Sequence, residues 1–414
     1  MSYNTDPYHS CDNKDPPGEA AEYNQLYPGG FISEVCMHTE GFLLQLFISI
    51  FGGKLCEIKH TGPQFQYAGL LRAIPAKQMS IQIGQHIILP DFPLLLAPME
   101  DVSDPPFRYV CKKYGADLMY SEFISSEGLI RDAIKSRQKL DFFEYERPFG
   151  IQIFGGDEEA MSLSARIIDA TNPDLVDINF GCPVKKVVCK GAGAAVLKDV
   201  PAMVRLTRAV IQSTRLPVTV KTRLGWDDDS KNIEDVAERL QDEGIGALTI
   251  HGRTRAQLYK GEADWTLIAR VKNNPRIHIP IFGNGDIESP EKALEYKNRY
   301  GVDGIMIGRA AIGNPWIFEE IKHFLKFGTH REPPSLEERI DVIRQHLHRS
   351  IEWKGPVLGV LEMRRHYSNY LKGIPHIKEV RNQLVQKGEL EEIESVLEDL
   401  KRKAETQAFA AATM

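Results

Sequence analysis

Cys182 falls in the run Asp177-Ile178-Asn179-Phe180-Gly181-Cys182-Pro183-Val184-Lys185-Lys186. Leu175 to Ile178 reads as a short buried strand with Asn179 at its carboxyl end. Gly181 and Pro183 then break the extended chain, so the thiol sits on a loop just past a strand tip. With a reference pKa of about 8.5 it is mostly protonated at neutral pH, and it can donate a proton as readily as attack. Free cysteine is otherwise a common core residue, and Cys111, in an apolar helical pattern, reads that way. Cys182 and Cys189 are separated by six residues. Without compact Cys-x-x-Cys pairs, that spacing and a distant His251 argue against zinc. Lys221 and Arg223 stand in the strand-like run Val218-Thr219-Val220-Lys221-Thr222-Arg223. Burying either would be costly without an anionic or polar partner.

Eight near-continuous apolar runs recur from residue 94 onward: Leu94–Ala97, Leu118–Ser121, Gly150–Phe154, Leu175–Ile178, Val218–Thr222, Ala247–His251, Pro280–Gly283 and Gly304–Ile307. Such runs suit parallel strands covered on both faces. Amphipathic stretches lie between them, at Asp157–Ala170, Val200–Thr214, Asn232–Glu243 and Ser289–Tyr300. Asp157 and Ser289 are good N-caps, and Pro290 suits a first helical position. Eight strand–helix units predict an α/β fold, a (β/α)8 TIM barrel. The alternative, an open doubly wound sheet, would usually carry a Gly-x-Gly-x-x-Gly turn after its first strand, and none is there. A barrel places its active site at the carboxyl ends of the strands. The tips present Pro98, Met99, Glu100 and Asp101, then Gln152, Asn179 and Cys182, Lys221 and Arg223, His251 and Arg253, Asn284-Gly285-Asp286, and Gly308-Arg309. Loops after strands seven and eight commonly hold phosphate. Gly283, Gly285 and Gly308 allow close backbone approach, and Arg309 adds a bidentate donor. A phosphate-bearing cofactor follows, with Lys221 facing its ring system.

The chain has 414 residues and a formal net charge of −6, which argues against bulk coating of nucleic acid. Six cysteines without regular spacing do not make a disulfide framework, so a cytoplasmic location is expected. Phe42–Phe51 is about half a membrane span, and a transmembrane helix is rejected. Residues 1–78 form an N-terminal extension with no assigned fold, lacking sustained periodicity and holding Cys11, Cys36 and Cys56. Residues 79–327 form the barrel. Residues 328–414 form a small all-helical C-terminal domain and tail, with helices at Leu336–Trp353, Val357–Leu371, Ile377–Lys387 and Glu389–Ala404. Between Arg344 and Lys387 nine Lys/Arg face three Asp/Glu, with His366, Tyr367 and Tyr370 interleaved. That suits a nucleic-acid face, or else a solvated helix surface. Lys185, Lys186 and Lys190 carry the same two readings, phosphate contact or solvated loop.

The motifs Ala97-Pro98-Met99, Asp104-Pro105-Pro106-Phe107-Arg108, Gln152-Ile153-Phe154-Gly155, Asp177 to Pro183, Val220-Lys221-Thr222-Arg223, Ile250 to Arg255, Asn284-Gly285-Asp286 and Met306 to Ala311 together resemble a tRNA-dihydrouridine synthase. The bacterial B-type subfamily is most similar, over about residues 79–400. The resemblance implies that the barrel holds FMN, that NADPH reduces it, and that the helical domain holds tRNA. Pro98, Met99, Glu100, Gln152, Lys221, His251, Asn284, Gly285, Asp286, Gly308 and Arg309 would then contact the cofactor. Asn179 would hold the target base, and Lys185, Arg253, Arg364, Arg365 and Lys372 the rest of the substrate. Cys182 would be the general acid that protonates uracil C5 after hydride reaches C6. No metal, membrane or obligate protein partner is expected. Glu100 and Asp101 replace small residues common in relatives, and would orient Arg108 or Arg131, or repel RNA phosphate. Met79 lies where family members commonly begin, which makes it a candidate translation start. Two other readings compete: an FMN barrel acting on a small pyrimidine such as dihydroorotate, and a non-catalytic RNA-binding protein.

Overall fold

A computed structural model describes residues 80–412 and three strands before them: β1 (Phe31–Thr39), β2 (Phe42–Phe51) and β3 (Lys54–Leu55). These three pair antiparallel, Phe31 opposite Ile50 and Phe51 opposite Lys54. The sequence alone assigns this stretch no fold, because Phe42–Phe51 shows no period-two alternation from which a strand can be recognised. The rest of the expected 1–78 extension lies outside the described residues.

Residues 75–414 form a second compact unit. It opens with a hairpin of β4 (Ile81–Ile83) and β5 (Ile87–Leu89), turned at Gly84 with φ +61°. Ile83, Ile87 and Leu89 pack with the interior-facing Leu95, Leu118, Leu175, Phe282 and Met306. A Cβ on Gly84 would stand 2.5 Å from Pro217, the residue before a barrel strand, so the hairpin plugs the amino-terminal end.

The barrel consists of β6 (Leu94–Leu96), β7 (Met119–Tyr120), β9 (Phe149–Phe154), β10 (Leu175–Asn179), β11 (Val218–Arg223), β12 (Ala247–His251), β13 (Ile281–Asn284) and β14 (Gly304–Ile307). All pair parallel in chain order. β14 returns to β6, Ile305 opposite Leu94, and a Leu95–Leu118 bridge closes the ring. A short β8 (Ile124–Ser125) lies beside the end of β9. Side chains alternate across each strand. Leu175, Asp177 and Asn179 therefore face the interior, while Val176 and Ile178 join the core under the helices. The eight expected strands are all present, two with the expected ends and six with one or both ends displaced by a single residue.

Covering helices run over Glu158–Thr171, Val200–Ile211, Ile233–Asp242, Thr266–Asn273, Pro290–Tyr300 and Ile317–Phe327. Asp157 and Ser289 accept from the amides of Ala160 and Lys292, as N-caps do. The C-terminal helices are Leu336–Lys354, Pro356–Tyr370, Lys378–Gln386 and Leu390–Ala412. They do not stand apart from the barrel. Phe107, on the helix Pro105–Lys113, meets His346 at 5.8 Å and His366 at 5.1 Å between ring centroids. Lys354 reaches both Asp104 and Glu362. One continuous apolar core runs from the outer face of the strands into these helices.

Candidate active site

Period two in the strands and the closure of the ring bring the strand tips around one cavity of about 320 Å³. Pro98, Met99, Glu100, Asn179, Cys182, Lys221, His251, Asn284, Gly285, Asp286, Gly308 and Arg309 all line it. These are twelve of the eighteen expected site residues, drawn from six strands.

Each loop is held by its own short-range bonds. Ser103 Oγ accepts from the Met99 amide at 3.0 Å and donates to the Ala97 carbonyl at 2.8 Å, which shapes the turn after β6. Asn179 Oδ1 accepts from the amides of Gly181 at 2.9 Å and Cys182 at 2.8 Å. That bends the chain directly after β10 and leaves the thiol at the cavity wall. Arg223 closes the far side of this loop. Its guanidinium donates to the carbonyls of Gly181 at 2.8 Å, Thr254 at 3.0 Å and Leu258 at 2.9 Å. Asp286 Oδ2 accepts from Arg253 at 2.6 Å and the Ala263 amide at 2.8 Å, while Oδ1 accepts from Arg309 at 3.3 Å. Gly285 has φ +122°, and a Cβ there would lie 2.8 Å from Ala263. A Cβ on Gly308 would stand 3.5 Å from Ala97 and 3.6 Å from Met99, filling the cradle between those loops.

Burial raises the Cys182 thiol above its ordinary value, so it keeps its proton across the neutral range. Burial, then the neighbouring Arg223, lowers Lys221 to about 8. The Lys221 side chain makes no hydrogen bond or ion pair among the described residues. Burial and the surrounding Arg223, Lys221, Arg253 and Arg309 push His251 well down, which leaves its ring neutral. The site therefore offers a protonated thiol, a neutral imidazole and an unpaired cation on one cavity wall.

Six expected residues stand elsewhere. Gln152 is fully buried beneath the cavity, donating to Asp177 at 2.5 Å and accepting from Asn179 at 2.8 Å. Arg253 is buried behind Asp286, and it also donates to the carbonyls of Lys260 at 3.2 Å and Gly261 at 2.5 Å. Lys185 is exposed on the short helix Lys185–Val188 next to the mouth. Arg365 and Lys372 are exposed at the C-terminal helices, whereas Arg364 is half-buried and donates to the Lys387 carbonyl at 3.1 Å.

Glu100 and Asp101 do not orient Arg108. Arg108 is buried against Glu146 at 2.8 Å, and Glu100 pairs instead with Lys139 at 2.6 Å. Asp101 uses its amide to hold Glu122 at 2.6 Å. Burial raises the Glu122 carboxyl to about 7. Glu100, Asp101 and Glu122 bring three carboxylates within 4.8 Å of one another, and Lys139 sits between Glu100 and Glu122. Phe123 and Tyr259 line the cavity without having been expected. The Tyr259 ring lies 5.2 Å from the Arg309 guanidinium and 5.7 Å from that of Arg223. Its loop carries no motif, and the only sequence signal was an aromatic residue following the sixth strand tip.

A family model described as dihydrouridine synthase matches residues 95–407. A tRNA-dihydrouridine synthase B from Pseudomonas putida is 41% identical over 302 residues, 73% of this chain and 88% of that protein. The Pseudomonas aeruginosa protein of that name is 41% identical over 290 residues, 70% of this chain and 87% of its own. One from Xanthomonas axonopodis pv. citri is 40% identical over 301 residues, 73% of this chain and 90% of its own.

Proposed function

The chain belongs to the dihydrouridine synthase family, and from that premise we propose that it is a flavin-dependent oxidoreductase acting on tRNA whose residues divide the work as follows. The reaction is reduction of the C5–C6 double bond of uridine, with FMN as the flavin and NADPH as the reductant. The carrying observation is that Cys182 and Lys221 line the same cavity, one with its proton and the other with no hydrogen bond or ion pair among the described residues.

The residues fit a phosphate-bearing flavin. Lys221 is a half-buried cation that makes no ion pair among the described residues. Gly285 and Gly308 leave backbone amides approachable, and Arg309 stands beside them with its side chain 55% exposed. Gly285, Gly308 and Arg309 would hold the phosphate, and Pro98, Met99, Asn284 and His251 would border the ring system. When bound, the reduced flavin supplies hydride to C6 of the uracil. Cys182 gives the proton from Sγ to C5, leaving a thiolate that solvent reprotonates. Lys221 would lie against the ring system, where its ammonium favours negative charge. His251, being neutral, contributes a hydrogen bond without a competing charge.

Lys185, Lys186, Arg365 and Lys372 are exposed and available to RNA phosphates. Among the described residues no helix is long and apolar enough to cross a membrane, and the tRNA substrate favours a cytoplasmic enzyme. The dihydroorotate and scaffold readings lose ground because the family match spans the helices as well as the barrel.

The test is Cys182→Ala, assayed on tRNA lacking dihydrouridine with NADPH as donor. The variant should retain flavin and its reduction, yet form product about 10²–10⁴-fold more slowly, the range typical of a general acid. Product is read as the mass gain of two hydrogens per modified uridine. Native turnover in the variant would reject Cys182 as the donor.

A further inference from the structure

Beneath the cavity floor lies a hydrogen-bonded chain that none of these steps uses. Asp177 precedes Asn179 by two residues on β10, so both face the barrel interior. Gln152 on β9 and Thr219 on β11 lie opposite Asp177 in register. All three are buried, Asp177 at 1%, Gln152 at 0% and Thr219 at 2% exposure.

An ionised carboxylate can only accept hydrogen bonds. Asp177 Oδ1 takes the Thr219 hydroxyl at 2.5 Å, and Oδ2 takes Gln152 Nε2 at 2.5 Å. The Gln152 NH2 group is thereby committed, and its Oε1 must face Asn179, whose Nδ2 donates at 2.8 Å. That leaves Asn179 Oδ1 for the amides of Gly181 and Cys182 at 2.9 and 2.8 Å. Reversing either side-chain amide would set donor against donor or acceptor against acceptor at its neighbours. The choice between amide orientations, which is otherwise nearly isosteric, is made by one buried charge. Burial raises Asp177 to about 6, while Gln152, Thr219 and the nearby Lys221 act to lower it, so it is ionised at neutral pH.

We propose that Asp177 is a positioning residue for Cys182: its carboxylate sets the polarity of the Gln152 and Asn179 amides and, through them, the backbone that carries the thiol. This rests on the reading of Cys182 as proton donor. It also explains why Gln152, expected at the cofactor, is buried instead.

The test uses the full chain, with turnover normalised to bound flavin and with peptide-resolved iodoacetamide labelling of Cys182. Gln152→Met removes both hydrogen bonds at similar side-chain length. Its kcat should fall about tenfold or more, on the order of a buried hydrogen bond. Labelling of Cys182, 7% exposed in the native fold, should quicken as the loop loosens. Combining Asp177→Asn with Gln152→Glu moves the carboxylate one link along. The amide introduced on β10 then donates to the carboxylate introduced on β9, which still accepts from Asn179. Turnover and labelling should return to within about threefold of native. Native labelling in Gln152→Met, or a paired variant as impaired as the single, overturns the proposal. If Gln152→Met does not fold, the paired variant decides alone. Native turnover in Cys182→Ala would instead reject the donor reading, while the labelling comparison still judges the chain.

Discussion

Lys221 is a cavity-lining cation whose charge responds to pH close to neutrality. Enclosure and the neighbouring Arg223 disfavour its charged form and bring it to about 8, whereas the Cys182 thiol moves the other way. Below pH 8 the ligand-free site therefore holds both an ammonium and a protonated thiol. An anionic flavin binds the charged form of Lys221, so above pH 8 binding must first restore that proton. FMN affinity is expected to fall about tenfold per pH unit above 8, the slope for one linked proton. Quenching of flavin fluorescence during titration measures this. Lys221→Met should bind more weakly at pH 7 and lose the pH dependence. A retained slope in that variant would assign the linked proton to another group.

At the level of elements, two helical contacts separate structure from substrate binding. The helix Pro105–Lys113 presents Phe107, fully buried, to His346 and His366 of the C-terminal helices. Phe107→Ala should cost about 3–5 kcal/mol, the usual range for deleting a buried phenyl ring. Reversible urea unfolding would register it as a lowered midpoint; a loss under about 1 kcal/mol would mean the helices close over the gap. Arg365 is exposed on one of these helices and Lys372 in the turn that follows it, while Arg364 is half-buried and committed to the Lys387 carbonyl. Replacing Arg365 and Lys372 with Ala should flatten the salt dependence of tRNA binding by about two logarithmic units per decade of salt, roughly one per phosphate contact. Flavin reduction by NADPH should be unaffected. An unchanged salt slope would locate the RNA-binding face elsewhere.

Over the whole molecule, residues 75–414 are a compact unit with their own plugged barrel and continuous core. The hairpin Ile81–Leu89 seals the amino-terminal end of that barrel and lies after Met79. A chain beginning at Met79 should therefore fold, retain flavin and modify tRNA like the full protein. Circular dichroism, flavin absorbance and dihydrouridine content compare the two directly. Loss of tRNA activity with flavin retained would assign a substrate role to the upstream residues. A chain beginning at Leu94, without the hairpin, should lose stability, because Leu95, Leu118 and Met306 would then face water.

The amino-acid order alone determined the architecture and most of the cavity wall. Eight apolar runs of strand length need no partner to be recognised, and a closed parallel ring sends their carboxyl ends to one mouth. Cys182, Lys221, His251, Asn284 and Arg309 could therefore be placed together from their positions relative to the runs. What lies between neighbours could not. Gln152 reads as one more tip residue until register sets it opposite Asp177 and beneath Asn179. Arg253 looks available to substrate until Asp286 and two loop carbonyls surround it. Glu100 finds Lys139, and Arg108 finds Glu146, across separations of 39 and 38 residues. Tyr259 reaches the cavity from a loop without a motif. Periodicity reports which face of a strand a residue occupies, because that depends on the residue's own backbone. Hydrogen-bond partners depend on which strands become neighbours and on their relative shift, and only the folded chain contains that information.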